Sequence, residues 1–516
     1  MRTRLTVAGI SLLFALLTLL PYGLAYAGAG SFRFTGFLFN PGDAASYLAK
    51  MRQGYEGQIL YTLAFTDSPG PGVLFFVYYL ALGNLARIFG LSLIAMWHIA
   101  RVLGIVFFLT VAWEFFGRIG LPPRSRAIAW ILVLLGSGFG FLVVPFGSYT
   151  ADLWVAEYIP FLGMLTNAHF PLAIGLILLL GMAVALPPRR PTLFSLAAVF
   201  LLGTALAVIQ PFSFVPIGTA LVVWIVWTRI ERGRFPKGVV AHLAAAGIAL
   251  LPWVVYDLWI TRTVPQFASW FAQNQTPTPP AWDVAVALGL PGLVILAAFL
   301  RWIFFRTTVR EKFSAVRGAT LLLGLWLCIN LILLFAPLPL QRRLMLGMWI
   351  PLAGLAAPIL ERLLFRPALV IRYAVYAAIP IVASNLVFLS ALQINALGHN
   401  PRIFLDTDTA AAVDWLSAHG QGSVVLAPPD LAQWLPGMTG VRVVYGHGME
   451  TPNAEQTLQN VEVFYDSTDP DSAAPFLAEH QVKWIVCPAE EPVCSNPATD
   501  WSIAFVSDGI KIFAVR

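Results

Sequence analysis

Charge is what this sequence has least of. Of 516 residues, 11% are Asp, Glu, Lys or Arg and 58% are hydrophobic. That balance excludes a soluble globular protein of this length. Cysteine is nearly absent, with three residues in the whole chain. Cys328 falls inside an apolar run, while "CPAEEPVC" sets Cys487 seven positions before Cys494. A disulfide there and two separate thiols are both compatible with the spacing. There is no tandem repeat and no Gly-rich phosphate loop, and nucleic acid is not an expected partner.

Long apolar runs take the place of charge. Runs of about 20 residues, the length that spans a bilayer core, recur along the first 390 positions. They place eleven spans at 5–27, 92–117, 127–147, 170–187, 192–210, 212–229, 238–260, 284–304, 318–336, 344–360 and 370–392. The first run follows Met-Arg-Thr-Arg and is longer than a signal-peptide core, so it reads as a retained span. With the N-terminus cytoplasmic, the inner segments carry 19 of the 27 Lys and Arg that precede residue 400. That asymmetry fixes the orientation. The apolar stretch 73–90 would invert every later loop if it crossed, so it is expected to lie along the outer surface with Arg87 on its wet face.

From residue 400 onward the balance reverses, with 5 Lys and Arg against 15 Asp and Glu. "SVVLAPP", "VRVVYG", "VKWIVCP", "SIAFVS" and "IKIFAVR" read as short strands, and "DTDTAAAVDWLSAHG" as a helix ending at Gly420. The expected protein is therefore a polytopic α-helical membrane protein of about eleven spans with a C-terminal soluble α/β domain. Residues 1–395 form the membrane domain, with a large first outer loop at 28–91, and residues 400–516 the extracytoplasmic domain. The expected location is the plasma membrane, with membrane lipids as partners.

Polar residues gather at the expected outer ends of the spans. Asp43 follows the turn "NPG" after the first span; it reads either as the cap of the helix "AASYLAKMRQG" or as a functional acid. Glu56 and Asp67 lie in the same loop. The loop after the third span carries Asp152, Glu157, Asn167 and His169, residue types that suit a divalent cation such as Mg or Mn. Gln210 falls at the next outer corner, and His98 and Arg101 stand one helical turn apart in "MWHIAR". Arg342 and Arg343, in "APLPLQRRLMLGMW", are the one adjacent basic pair on the outer side. Intramembrane Arg costs about 3 kcal/mol on insertion scales. A bound phosphate, matched by guanidinium forks, would offset this, as would snorkelling to lipid headgroups.

The order of motifs resembles the GT-C superfamily of membrane glycosyltransferases, which includes protein O-mannosyltransferases and the lipid A aminoarabinose transferase. The resemblance rests on an acid opening the first outer loop, a Pro-rich turn, and a surface helix leading into a span with an arginine near its start, here Arg101. It covers nearly the whole chain. It extends to Gly42-Asp43 through Gly57, "HFPLA" at 169–173, Gln341-Arg342-Arg343, and "GHGMET" at 446–451. The resemblance implies a sugar donor linked to polyprenyl phosphate, inversion at the anomeric carbon, Asp43 as general base, and Arg342, Arg343 and Arg101 on the donor phosphate. Two departures stand out: Ala44 follows Asp43 where many members have a second acid, and "SPGPG" at 68–72 replaces a His-Pro turn. The alternative class is a transporter or flippase for a lipid-linked or anionic substrate, which would place acids at the bilayer midplane and show internal symmetry. A third is a non-catalytic scaffold for an envelope assembly.

Overall fold

The structure, a computed structural model, describes residues 2–188, 190–305, 319–364, 370–469, 473–495 and 497–515. The basic loops expected over 306–318 and 365–369 lie outside the described residues. The chain divides into two compact units. The first comprises Met1–Leu19, Ala100–Val255 and Thr276–Ala391; the second comprises Leu20–Ile99, Tyr256–Gln275 and Leu392–Arg516.

Apolar periodless runs make long helices because nothing but backbone pairing can satisfy N–H and C=O groups in lipid. Six helices among the described residues are long and apolar enough to cross a membrane: Thr3–Ala27, Leu93–Arg118, Pro211–Arg232, Lys237–Thr263, Arg342–Leu364 and Ile379–Leu397. Three shorter apolar helices, His169–Ala185, Leu193–Ile209 and Thr320–Leu334, coincide with three further expected spans. The expected span at 284–304 is broken. Ala281–Ala287 and Gly289–Phe304 meet at 100°. Gly289 takes φ +57°, and a Cβ there would lie 2.8 Å from Gly138 Cα and from Ser137 O. A larger residue would fit neither the backbone nor the space.

The expected span at 127–147 is helical only over Pro123–Leu135. "GSGFG" ends it: Gly136 is extended, and two short 3₁₀ turns, Gly140–Leu142 and Val144–Phe146, follow. The freed backbone groups are taken up by the helix Val370–Leu397. Ser137 N donates to Ile381 O at 2.7 Å, Phe141 N to Ser384 Oγ at 3.0 Å, and Asn385 Nδ2 to Leu135 O at 2.8 Å. This is how irregular backbone survives at membrane depth.

In the second unit, α1 (Pro41–Tyr55) and α2 (Val77–Phe89) cross at two glycines. A Cβ on Gly54 would lie 2.0 Å from Leu80 O, and one on Gly83 would lie 1.9 Å from Met51 O. Helix α2 buries Tyr79, Leu80, Leu82 and Ala86 and exposes Arg87, Ile88 and Phe89. The C-terminal segment forms a five-stranded sheet. Its strands are β1 (Val424–Leu426), β2 (Arg442–Val443), β3 (Val482–Pro488), β4 (Trp501–Val506) and β5 (Ile510–Val515), in the order β2-β1-β3-β5-β4. The first three are parallel and the last two join antiparallel. Phe464, Trp501 and Phe513 fill the core with Ile485 and Cys487. Cys487 and Cys494 are joined in a disulfide with Cα atoms 5.4 Å apart.

The segment that carries α1 and α2 shares this unit with the sheet. Arg52 of α1 donates to Gly437 O at 3.1 Å and to Met438 O at 2.5 Å. Phe37 stacks on Trp434 with centroids 6.0 Å apart, and Arg33 forks onto Asp414 at 2.7 and 2.6 Å.

Candidate active site

Helix α1 begins one turn earlier than the reading of Asp43 as its cap requires. Pro41 occupies the first helical position, where its missing N–H costs nothing. Asn40 is the N-cap, in a left-handed conformation at φ 46°, and its Oδ1 accepts from Asp43 N at 3.5 Å. Asn tolerates that conformation better than most residues. Asp43 is therefore the third residue of the helix and does not cap it. Asn40 Nδ2 donates to Asp43 Oδ2 at 2.5 Å, which leaves Oδ1 available. Tyr79 of α2 stacks on Tyr47 with centroids 4.5 Å apart, walling the same turn of α1.

A loop from the α/β segment reaches this helix start. In "GHGMET", His447 Nδ1 accepts from Met449 N at 3.0 Å and Glu450 N at 3.2 Å. A Cβ on Gly42 would sit 3.5 Å from His447 Nε2. Beneath the loop, Glu450 is buried against α1. Its Oε1 accepts from Lys50 Nζ and from Ser46 Oγ, each at 2.5 Å, and Oε2 accepts from Tyr61 at 3.1 Å. Lys50 also reaches Ser46, and lies 4.0 Å from the centre of the Phe76 ring. Burial would raise the Glu450 carboxyl, but Lys50, His447 and the Ser46 hydroxyl outweigh it and hold it down to about 2. Tyr61, fully buried beside that carboxylate, is pushed well up. The sequence alone gives the residues of this motif no role. The one available signal was a His and an acid in a short Gly-rich turn.

In the first unit, Arg342 and Arg343 open a 3₁₀ turn, Arg342–Met345. Arg342 Nε lies 3.6 Å from Glu157 Oε1, and its guanidinium sits 5.3 Å from the centre of the Trp154 ring. An ion pair and a cation–π contact thus engage Arg342 within the first unit. The turn Pro211–Phe214 packs against the arginine turn. Arg342 Nε, Gln210 Oε1 and Ser213 Oγ are all buried without a hydrogen-bond partner among the described residues. Buried polar atoms are normally satisfied, so these three stand out in the first unit.

The remaining candidates divide. Asp152, expected at an outer face, is fully buried: Oδ2 accepts from Gly140 N at 3.0 Å and Oδ1 from Thr150 at 2.6 Å, so it holds the "GSGFG" turn closed. With Asp152 so engaged and Glu157 facing Arg342, the expected Asp152, Glu157 and His169 set does not form a metal site. No group of three or more His, Cys, Asp or Glu that could hold a metal ion exists among the described residues. His169 starts the helix His169–Ala185 against the Phe170 ring, and Asn167 caps the end of the preceding helix. Arg101 is fully buried and clamps backbone: Nη1 donates to Thr18 Oγ1 at 2.8 Å and Met164 O at 2.9 Å, and Nη2 to Thr18 O at 3.3 Å. That is a brace for the interruption between Arg2–Leu17 and Leu20–Ala27.

In the second unit, His98 is packed edge-on between Tyr22 and Trp97. Glu56 lies just past the far end of α1, 13 residues from Asp43, or about 20 Å along the helix. Asp67 accepts from His480 Nδ1 at 2.9 Å and from Thr66 at 3.1 Å. Burial raises its carboxyl, yet His480 and Thr66 together bring it below the ordinary value.

No protein-family model matches the sequence, and no curated protein is detectably similar to it. Solved structures are similar in fold. The crystal structure of the Archaeoglobus fulgidus oligosaccharyltransferase, tethered by a disulfide bond to an acceptor peptide containing the NVT sequon, aligns over 99% of this chain and 74% of its own at TM-score 0.56 and 12% identity. The same enzyme in complex with Zn and sulfate aligns over 98% and 73%, at TM-score 0.52 and 13% identity. ArnT from Cupriavidus metallidurans in the apo state aligns over 98% of both chains, at TM-score 0.51 and 12% identity. The chain shares the fold of these solved structures over nearly its whole length.

Proposed function

We propose that this chain is an inverting membrane glycosyltransferase that moves a sugar from a polyprenyl-phosphate donor to an extracytoplasmic acceptor. The observation that carries the reading is the state of Asp43. It stands at the third position of a helix whose cap is Asn40, and its Oδ1 accepts no hydrogen bond among the described residues. In the proposed reaction the acceptor hydroxyl oxygen bonds to the anomeric carbon from the face opposite the phosphate. The bond from that carbon to the phosphate oxygen breaks, and its electron pair leaves on the phosphate. The hydroxyl proton passes to Asp43. Arg342 and Arg343 hold the departing phosphate, whose charge grows in the transition state. Gln210 and Ser213 add polar contacts to that end of the substrate.

The topology belongs to the same proposal: eleven spans, a cytoplasmic N-terminus and an outward C-terminal segment, as the distribution of Lys and Arg requires. The test is saturable binding of polyprenyl phosphate to the purified chain and to Arg342→Ala/Arg343→Ala. Binding lost in the double variant supports the donor site. Equal binding by both proteins returns the pair to the role of headgroup contacts and removes the donor half of the proposal.

A further inference from the structure

The "GHGMET" loop carries one side chain that the fold orients but does not use. Two backbone N–H groups, from Met449 and Glu450, point at His447 Nδ1. That nitrogen is therefore the acceptor, and the ring proton sits on Nε2. The other half of the ring is held without hydrogen bonds, by Phe65 at 5.6 Å between centroids. Nε2 itself reaches the edge of Gly42, next in sequence to Asp43, and donates to no protein acceptor among the described residues.

The loop is built to hold that position. Thr451 Oγ1 accepts from Gly446 N and His447 N at 3.3 Å each. Gln273 Nε2 donates to Thr451 O at 2.8 Å, and Gln273 Oε1 accepts from Ala454 N at 2.8 Å. Glu450, three residues on from His447, is locked onto Lys50 of α1. The same helix thus carries Asp43 at its start and the anchor of the histidine loop two turns later. A donor fixed this firmly beside a reacting group is the arrangement that favours charge developing on a substrate oxygen, because no reorganisation is needed when the charge forms.

We propose that His447 is a second substrate-contacting residue of the Asp43 site, donating from Nε2 to an oxygen of the sugar or of the acceptor hydroxyl. This rests on the glycosyl-transfer reading above. Its distinguishing feature is that the two ring nitrogens have separable jobs, Nδ1 in the loop and Nε2 toward substrate.

Two substitutions separate them. His447→Asn keeps an oxygen near the place of Nδ1, so Met449 and Glu450 keep their acceptor, but removes the Nε2 donor. His447→Gln places an amide N–H near Nε2 and gives up the Nδ1 acceptor. The full chain, reconstituted in liposomes with an extract of the native cell envelope as the source of acceptor hydroxyls, is offered polyprenyl-phosphate mannose and polyprenyl-phosphate glucose in turn, and release of polyprenyl phosphate is followed. Turnover is expected to fall on the order of 100-fold in His447→Asn, the size of effect seen when a single preorganised donor is removed, with unfolding temperature retained. His447→Gln is expected to keep more turnover than His447→Asn. Turnover in His447→Asn equal to or above that in His447→Gln overturns the proposal and leaves His447 a loop-locking residue. If Asp43→Asn is inactive while His447→Asn is fully active, the inference fails and the glycosyl-transfer reading stands. If wild type releases no polyprenyl phosphate from either donor, both fail.

Discussion

Lys50 Nζ lies 2.5 Å from Glu450 Oε1, across 400 positions of sequence, with both side chains almost completely buried. The pair fastens α1 to the α/β segment within one unit. A buried pair of this kind is weak as a source of net stability but costly to break, because the surviving charge is left unpaired in a medium that solvates it poorly. Glu450→Gln is expected to destabilise the fold by about 3–5 kcal/mol. Lys50→Met combined with Glu450→Gln is expected to recover much of that loss. Thermal unfolding of the purified chain in detergent, followed by tryptophan fluorescence, measures both.

The same carboxylate sets an acid limit. Its folded pKa is depressed to about 2, against about 4.3 for Glu in an unfolded chain. A depressed carboxyl stabilises the fold fully above the unfolded value and loses that contribution as pH falls through the folded one. Asp67, also lowered on balance, acts in the same direction. Wild-type stability is therefore expected to drop between about pH 4.3 and about pH 2. Glu450→Gln should start lower and fall less steeply across that window. Unfolding temperature measured against pH for both proteins checks the sign; an equal slope in both would show that other groups set the acid limit.

Much of the helical plan was legible because apolar run length is a strong local signal. Six long helices and three shorter ones fall on expected spans. Strand positions in the tail were legible for a similar reason, since β-branched runs between turn residues speak for themselves. The cap of α1 was not. Asn40 as N-cap requires φ 46° at a non-glycine residue, a conformation that neighbouring residues do not announce. "GSGFG" reads as part of a span because its apolar flanks hide a turn that depends on Ser137, Ser384 and Asn385. Pairings such as Lys50 with Glu450 or Arg342 with Glu157 join segments far apart in sequence, and no periodicity carries them. Asp152 reads as an outward acid by its position, and Arg101 as a donor-phosphate ligand by the GT-C resemblance. Burial and backbone partners give them bracing roles.

Arg101 illustrates how such a brace is tested. Its guanidinium satisfies Thr18 O and Met164 O inside the first unit. Arg101→Met keeps the apolar stem and removes the donors, so each orphaned carbonyl is expected to cost about 1–3 kcal/mol. The variant should unfold at lower temperature while its apparent affinity for polyprenyl phosphate stays at the wild-type value. Weakened binding without loss of stability would instead put Arg101 on the donor phosphate.

The central claim is that Asp43 takes the acceptor proton. Asp43→Asn keeps the size of the side chain and the first turn of α1 capped by Asn40, but removes the base. The direct measurement is single-turnover sugar transfer by Asp43→Asn in liposomes, alongside its polyprenyl-phosphate binding and unfolding temperature. Transfer is expected to fall by about 10²–10⁴-fold, with binding and stability close to wild type. Full transfer activity in a folded Asp43→Asn would contradict the account, because the proton would then have to leave by another group.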